Sequence, residues 1–102
     1  NDMLSARVAR LLNARLLVML STVDGLQGED GSVITEVQDI DSVSGHVRAD
    51  HGKFSIGGMA SKLKAVRFAL DAGVETVIAG GREPSALKEI ISGGEGGTRF
   101  PL

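Results

Sequence analysis

Cysteine, tryptophan and tyrosine are absent from this 102-residue sequence, and phenylalanine occurs only three times. The lack of cysteine excludes disulfides, thiolate metal ligands and a cysteine nucleophile, and it is compatible with a cytoplasmic protein. Because aromatic residues make up 3% of the chain, the hydrophobic core must be built almost entirely from aliphatic side chains.

The sequence also lacks an excess of either charge and any long apolar run. Eleven Lys and Arg residues oppose 13 Asp and Glu residues, which leaves a net charge of −2. That balance gives no electrostatic basis for binding nucleic acid or an anionic membrane. The longest apolar run, Leu16 to Leu20, is far too short to cross a bilayer. We therefore predict partners of neither class.

What the sequence does contain is a hydrophobic fraction of 42% and 14 glycines. This hydrophobic fraction is typical of a folded domain, and the length suits a single one. The chain opens at Asn1 and passes directly into an amphipathic pattern, without an initiator methionine. We therefore expect it to be part of a longer protein.

Helical and strand patterns alternate along the chain. Apolar spacing and turn residues predict three helices, at Met3 to Asn13, Met59 to Ala72 and Ser85 to Ile91. Apolar runs predict buried strands at Arg15 to Thr22 and Val74 to Ala79, and shorter strands at Val33 to Val37 and Thr98 to Phe100. Residues 38–57 are polar and rich in glycine, which predicts mostly loop. The alternation predicts an α/β fold, with three α/β/α layers and a mainly parallel sheet.

The sharpest functional pattern is a glycine pair, Gly57 and Gly58, directly before the second predicted helix, with Lys62 just inside it. Free N–H groups at a helix start, together with a lysine, are suited to binding an anion. At 100° per residue, Lys62 lies beside Ala65 on the flank opposite Lys64. It is therefore a better ligand candidate than Lys64, although a surface lysine lying along apolar neighbours fits the pattern as well.

Three further segments are candidate sites with structural alternatives. Asn1 and Asp2 stand where a helix begins, and the sequence alone favours capping of that helix over a functional role. The stretch from Ser21 to Gly25 follows a buried strand, where ligands bind in open α/β sheets, but Asp-Gly also makes an ordinary turn. Arg82 follows Gly80-Gly81 after the next strand, and we favour a solvated side chain for it.

Two further patterns suggest a metal site and a phosphate-binding loop, but their spacing and position argue against both. His46 and His51 are five residues apart in a polar loop, a spacing that does not favour a metal site, so we predict none. The glycines from Gly93 to Gly97 suggest a phosphate loop by composition, but they lie between a helix and a strand rather than between a strand and a helix. We therefore expect a connecting loop there.

At these same residues the chain resembles the glutamate 5-kinase family of amino-acid kinases. Asn1-Asp2-Met3-Leu4-Ser5-Ala6 is similar to the end of that family's Gly-Asp-Asn-Asp-x-Leu-Ser-Ala motif. The stretches LLVMLSTVDGL (16–26), DSVSG (41–45), GGMASKLKA (57–65), AGVETVIAGG (72–81) and GTRF (97–100) follow in the family's order. The resemblance covers nearly the whole chain.

The resemblance implies an amino-acid-kinase (carbamate-kinase-like) fold, of which residues 1–102 would form the C-terminal, nucleotide-binding half. It implies transfer of the γ-phosphate of MgATP to the side-chain carboxylate of L-glutamate, the first step of proline synthesis, in the cytoplasm. Under it, Asn1 contacts glutamate, Asp2 holds the catalytic lysines, and Lys62 stabilises the transferring phosphoryl group. The nucleotide is bordered by Ser21, Thr22, Gly57, Gly58 and Met59. The implied partners are glutamate, ATP, the N-terminal half of the domain and a second copy of the enzyme.

The chain also departs from the family's pattern. Thr22 replaces an aspartate, residues 27–30 (Gln-Gly-Glu-Asp) replace a Tyr-Thr-x-Asp-Pro stretch, and Ser55-Ile56 replaces Gly-Thr. The family's Lys-x-Gly-Ser phosphate anchor has no counterpart in this sequence. These differences favour one alternative, a non-catalytic nucleotide-binding or assembly module. A second alternative is a related kinase with another acceptor, because related amino-acid kinases share this architecture.

Overall fold

The computed structural model describes residues 2–28, 31–43, 58–82, 84–94 and 96–102. In chain order its main elements are α1 (Asp2–Leu11), β1 (Leu16–Ser21), α2 (Gly58–Asp71), β2 (Glu75–Gly80), α3 (Pro84–Ile91) and β3 (Thr98–Phe100). Each was predicted from the sequence to within two residues at either end. Asn1, Gly57, His46 and His51 lie outside the described residues.

The three strands form one sheet in the order β1-β2-β3. β1 and β2 are parallel over six residue pairs, from Leu16 opposite Glu75 to Ser21 opposite Gly80. β3 pairs with the other side of β2 in the antiparallel direction, over three residues. The predicted α/β fold with a mainly parallel sheet is therefore confirmed, and the short antiparallel strand at one edge makes the sheet mixed.

Helices cover both faces of β2, and its alternating side chains belong to two different cores. Ile78 lies in the larger core with buried residues of α1 and α2, among them Ala6 and Val66. Val77 and Ala79 lie in a smaller core with Ile90 of α3. A strand buried on both faces needs a continuous apolar run, which explains the consecutive aliphatic residues Val77, Ile78 and Ala79 at the centre of β2.

The strand predicted at Val33 to Val37 does not form. Val33 makes an isolated antiparallel bridge to Gln27, and Glu36 makes an isolated parallel bridge to Arg99 of β3. The amide N–H of Ile34 donates to the carbonyl oxygen of Leu26 at 2.7 Å. The alternating pattern is present, but β3 is only three residues long, so the segment pairs at single points instead of forming a continuous strand.

Thr98 fastens this irregular segment to the sheet. Its hydroxyl accepts a hydrogen bond from the N–H of Leu26 at 2.8 Å and donates one to the carbonyl oxygen of Ile34 at 2.5 Å. Thr98 is completely buried, so these bonds satisfy polar groups that water does not reach.

The helices end as their sequence signals predict. Gly73 follows α2 with a φ of 82°, and Gly93 follows α3 with a φ of 86°, the left-handed conformation that favours glycine after a helix. The N–H groups of Gly93 and Gly94 donate to the carbonyls of Ile90 and Glu89. Gly93 and Gly94 thus close α3, as expected of a connection. No helix among the described residues has the length and apolar character needed to cross a membrane.

Candidate functional site

The starts of α1 and α2 lie at the same edge of the sheet as the ends of β1 and β2. α1 contacts β1, and α2 contacts β2. Each helix turns back into its strand after a few residues, so the helices run opposite to the parallel strands. The edge that carries Ser21 and Gly80 therefore also carries Asp2 and Gly58. In open α/β sheets this carboxyl edge is where ligands bind.

The two helices run side by side in the same direction. Near their starts, the Lys62 ammonium lies 3.5 Å from the Asp2 carboxylate. Further along, the guanidinium groups of Arg7 and Arg10 lie 6.0 Å and 5.7 Å from the centre of the Phe68 ring. Cation–π contacts of this kind stabilise the α1–α2 packing modestly. They also fix the position of one helix along the axis of the other.

Asp2 and Lys62 are 60 positions apart in the chain, and the fold makes them an ion pair. The side chains retain 25% and 16% of their full exposure, respectively. A partly exposed pair is accessible to a ligand and yet held in one place. Asp2 thereby orients the lysine ammonium at the edge of the sheet.

The position of Lys62 on α2 separates it from the other cations of that helix. Its neighbours Ala65 and Ala69 are completely buried, and their small side chains leave room for the lysine stem beside them. Lys64 is exposed, and Arg67 forms an ion pair with Asp41 of the preceding segment. Lys62 therefore lies on the flank of α2 that the helical rotation predicts, beside the buried alanines and away from Lys64.

The loop after β1 lies against the loop after β2. The N–H of Gly81 donates to the carbonyl oxygen of Ser21 at 3.1 Å. A Cβ atom built on Gly80 would lie 2.6 Å from a carboxylate oxygen of Asp24. The absence of a side chain at Gly80 therefore lets the two loops approach. Thr22 is exposed at this edge, and Ser21 is partly buried.

Gly58 and Met59 form the first turn of α2. Their backbone N–H groups belong to the set that a helix start leaves without a partner inside the helix. The Met59 side chain packs against the larger core, so its backbone is the part available to a ligand. Together with the Lys62 ammonium, this turn presents positive charge from two sources.

Sequence reasoning included Asp24 in the candidate loop from Ser21 to Gly25 but missed its contact with the loop after β2. Its carboxylate lies directly against Gly80. The signal was present in the glycine pair at the end of β2, since glycines at a strand end mark places where another part of the chain approaches closely. Across the described residues, no cluster of three or more His, Asp or Glu side chains suited to a metal is found.

Comparison with known proteins identifies the family to which this architecture belongs. The model of the amino acid kinase family matches residues 1–80. The chain belongs to the amino acid kinase family. Among curated relatives, a glutamate 5-kinase of Thermus thermophilus is 41% identical, and that of Ligilactobacillus salivarius is 38% identical. Each match covers 98% of this chain, but 28% and 40% of the respective relative. The chain therefore spans well under half the length of these kinases.

Solved structures agree on the fold. Uridylate kinase from Archaeoglobus fulgidus superimposes with a TM-score of 0.73 at 16% identity, over 98% of this chain and 46% of that one. Carbamate kinase from Giardia lamblia, bound to citric acid, gives 0.70 at 22% identity, over 98% and 30%. At such identities the likeness establishes the amino-acid-kinase architecture and nothing about the substrate.

Proposed function

We propose that this chain supplies the nucleotide-side part of a kinase that transfers the γ-phosphate of ATP to the side-chain carboxylate of L-glutamate. The observation that carries the proposal is the Asp2–Lys62 pair, held at the carboxyl edge of the sheet beside the start of α2. The resemblance to glutamate 5-kinases supplies the acceptor, the link to proline synthesis and a cytoplasmic location.

Phosphoryl transfer requires positioning and stabilisation of charge more than covalent chemistry by the protein. Lys62 would stabilise the negative charge that develops on the transferring group, and Asp2 would keep the ammonium in place. The first turn of α2 would face the nucleotide phosphates with the N–H groups of Gly58 and Met59. The matched motifs extend this turn to Gly57, which lies outside the described residues.

The remaining roles follow the family's motifs residue by residue. Ser21 and Thr22 would border the nucleotide at the end of β1, and Asn1, outside the described residues, would contact glutamate. Magnesium would arrive on the ATP phosphates. The first turn of α2 and the Lys62 ammonium fit an anionic nucleotide, because both offer positive charge at an accessible edge.

A titration of the chain with MgATP, followed by calorimetry, tests this proposal. We expect heat of binding, and we expect bound MgATP to slow acylation of the Lys62 amine but not of the exposed Lys64 amine. Lys64 is the matched control because it lies on the same helix two residues away. No heat of binding together with unprotected Lys62 would refute the proposal.

A non-catalytic nucleotide-binding or assembly module is the second candidate. Thr22 favours it, because a neutral, exposed side chain stands where the kinases carry an aspartate. The variant Lys62→Ala discriminates between the two: unaltered MgATP affinity in this variant supports the module, whereas lost affinity supports the kinase.

A further inference from the structure

Residues 22–25 cross the end of β2 on their way from β1 to the neighbourhood of β3, and β2 lies between those two strands. At one end of this crossing, Ser21 of β1 is paired with Gly80 of β2. At the other end, the N–H of Leu26 donates to the buried hydroxyl of Thr98 in β3 at 2.8 Å. The sheet therefore fixes both ends of a span of four residues, which leaves the crossing little freedom.

Asp24 carries the one ionisable side chain of this crossing. A Cβ atom built on Gly80 would lie 2.6 Å from one of its carboxylate oxygens, so the carboxylate rests on the bare Cα of that glycine. Asp24 is exposed, and no residue that the structure describes forms a hydrogen bond or an ion pair with its carboxylate. Its capacity to accept hydrogen bonds is therefore open to a ligand.

The start of α2 lies at the same level as this carboxylate. α2 has 14 residues and is about 21 Å long, and the six residues of β2 span about 20 Å. Because α2 packs on β2 and runs the opposite way, its first turn reaches the level of Gly80. Leu26 enters the larger core, which α2 covers, so the crossing turns toward that face of the sheet. Asp24 and the first turn of α2 thus border the same space.

The charge of the Asp24 carboxylate decides which part of a nucleotide it can face. A carboxylate repels phosphates, so Asp24 is unsuited to the triphosphate that the first turn of α2 and Lys62 attract. Its two oxygens instead match two adjacent hydroxyl donors. A nucleotide carries such a pair on its ribose, next to the phosphates. In dinucleotide-binding folds, an acidic residue near a phosphate-binding helix start accepts a hydrogen bond from the ribose in the same way.

We infer that Asp24 is a specificity-determining residue that accepts hydrogen bonds from the 2′- and 3′-hydroxyls of the nucleotide's ribose. Gly80 is the positioning residue, because a side chain at that position would turn the Asp24 carboxylate away. The inference rests on the proposed function for the nucleotide itself. With the phosphates at the first turn of α2, the ribose meets the carboxylate on the other side of the same space.

Titration calorimetry of the chain with MgATP and with magnesium 2′,3′-dideoxy-ATP tests the contact. We expect MgATP to bind about tenfold more tightly than the dideoxy nucleotide, or tighter still, because hydrogen bonds to a charged acceptor are the stronger kind. Asp24→Ala should remove this preference by weakening MgATP binding, without weakening binding of the dideoxy nucleotide. Asp71→Ala is the matched control, since Asp71 is an exposed carboxylate at the other end of α2; it should leave both affinities unchanged.

Gly80→Ala tests the positioning role. Apart from the Asp24 carboxylate oxygen, the atoms nearest to the added Cβ lie 3.4 Å and 3.6 Å away, which is ordinary contact. The exposed carboxylate can turn aside, so the melting temperature should change little. MgATP affinity should nevertheless fall by about fivefold or more, and in the double variant with Asp24→Ala the Gly80→Ala change should add no further loss.

The sign and the selectivity of these effects separate the inference from its alternatives. If Asp24 were only a negative neighbour of the phosphates, Asp24→Ala would tighten the binding of both nucleotides. Equal losses for both nucleotides would assign Asp24 to the magnesium ion or the base. Either result overturns the inference, and a Gly80→Ala loss that persists beside Asp24→Ala overturns the positioning role.

The wild-type titrations distinguish a failure of this inference from a failure of the proposed function. A chain that binds neither nucleotide would refute the proposed function, and the inference with it. A chain that binds MgATP and the dideoxy nucleotide equally well would refute the inference and leave the proposed function intact.

Discussion

The Lys62 ammonium lies 3.5 Å from the Asp2 carboxylate, and both side chains remain partly exposed. A pair of this kind contributes little net stability to folding, because the attraction between the two charges is largely offset by their partial loss of hydration. Under the proposed function, its value lies in fixing the ammonium at the edge where a phosphate would bind. Stability and function therefore depend on this pair to different degrees.

The variant Asp2→Asn separates these two roles. We expect the free energy of unfolding to fall by less than about 1 kcal/mol, measured by denaturant titration. The rate of phosphoryl transfer is measured on a chimaera in which this chain replaces the matching segment of the Thermus thermophilus glutamate 5-kinase. This rate should fall by about tenfold or more, because Lys62 loses the group that positions it. Equal transfer rates before and after the substitution would contradict a positioning role for Asp2.

Gly97 occupies a place that no side chain fits. Its φ is 63°, and a Cβ atom there would overlap the carbonyl oxygen of Ile78 and lie 2.9 Å from the Ala79 Cα. We predict that Gly97→Ala lowers the free energy of unfolding by about 3 kcal/mol or more. Gly73→Ala is the control: its φ is 82° but nothing lies within 4 Å of the added atom, so only about 1 kcal/mol of backbone strain applies. Similar losses in both variants would show that the overlap at Gly97 is relieved.

At the scale of elements, β3 holds residues 31–37 and Leu26 through the buried hydroxyl of Thr98 and through backbone hydrogen bonds of Arg99 with Thr35 and Val37. The variant Thr98→Val keeps the shape and leaves the Leu26 N–H and the Ile34 carbonyl unpaired. We expect a loss of about 2 kcal/mol or more in the free energy of unfolding. Thr76→Val is the control, since Thr76 is equally buried but its hydroxyl makes a single 3.3 Å bond to the Val74 carbonyl. A larger loss of unfolding free energy in Thr76→Val than in Thr98→Val would refute this role of the Thr98 hydroxyl.

The helices and buried strands were predictable because their signals are local. Apolar runs gave β1 and β2, and the rotation of α2 gave the inner flank for Lys62. Strand direction and bridging are not local: the alternating Val33 to Val37 pattern carries no information on the length of its neighbour β3. For the same reason β3 could be located from the sequence, but its antiparallel direction could not.

The candidate site also combines local features, which the sequence shows, with long-range contacts, which it does not show. A glycine pair before a helix with a lysine inside it indicated an anion site from sequence alone. The contact of Lys62 with Asp2 spans 60 positions, and only the family resemblance gave Asp2 the role of holding it. The glycine pair at the end of β2 indicated a close approach of some other part of the chain. That Asp24 is the residue that approaches depends on how two loops pack, which the sequence does not show.

At the scale of the whole molecule, the sheet is well covered over β2 and incompletely covered over β1. The ends of β1 and β2 and the starts of α1 and α2 lie at one edge of the sheet, which is where the candidate site lies. The relatives are more than twice as long as this chain.

The central claim is that Lys62 stabilises the transferring phosphoryl group, and the turnover number of the chimaera with glutamate and MgATP tests it most directly. Lys62→Ala should lower kcat by about a hundredfold or more, whereas Lys64→Ala, on the exposed flank of the same helix, should leave kcat nearly unchanged. Equal kcat values for the two variants would contradict the account.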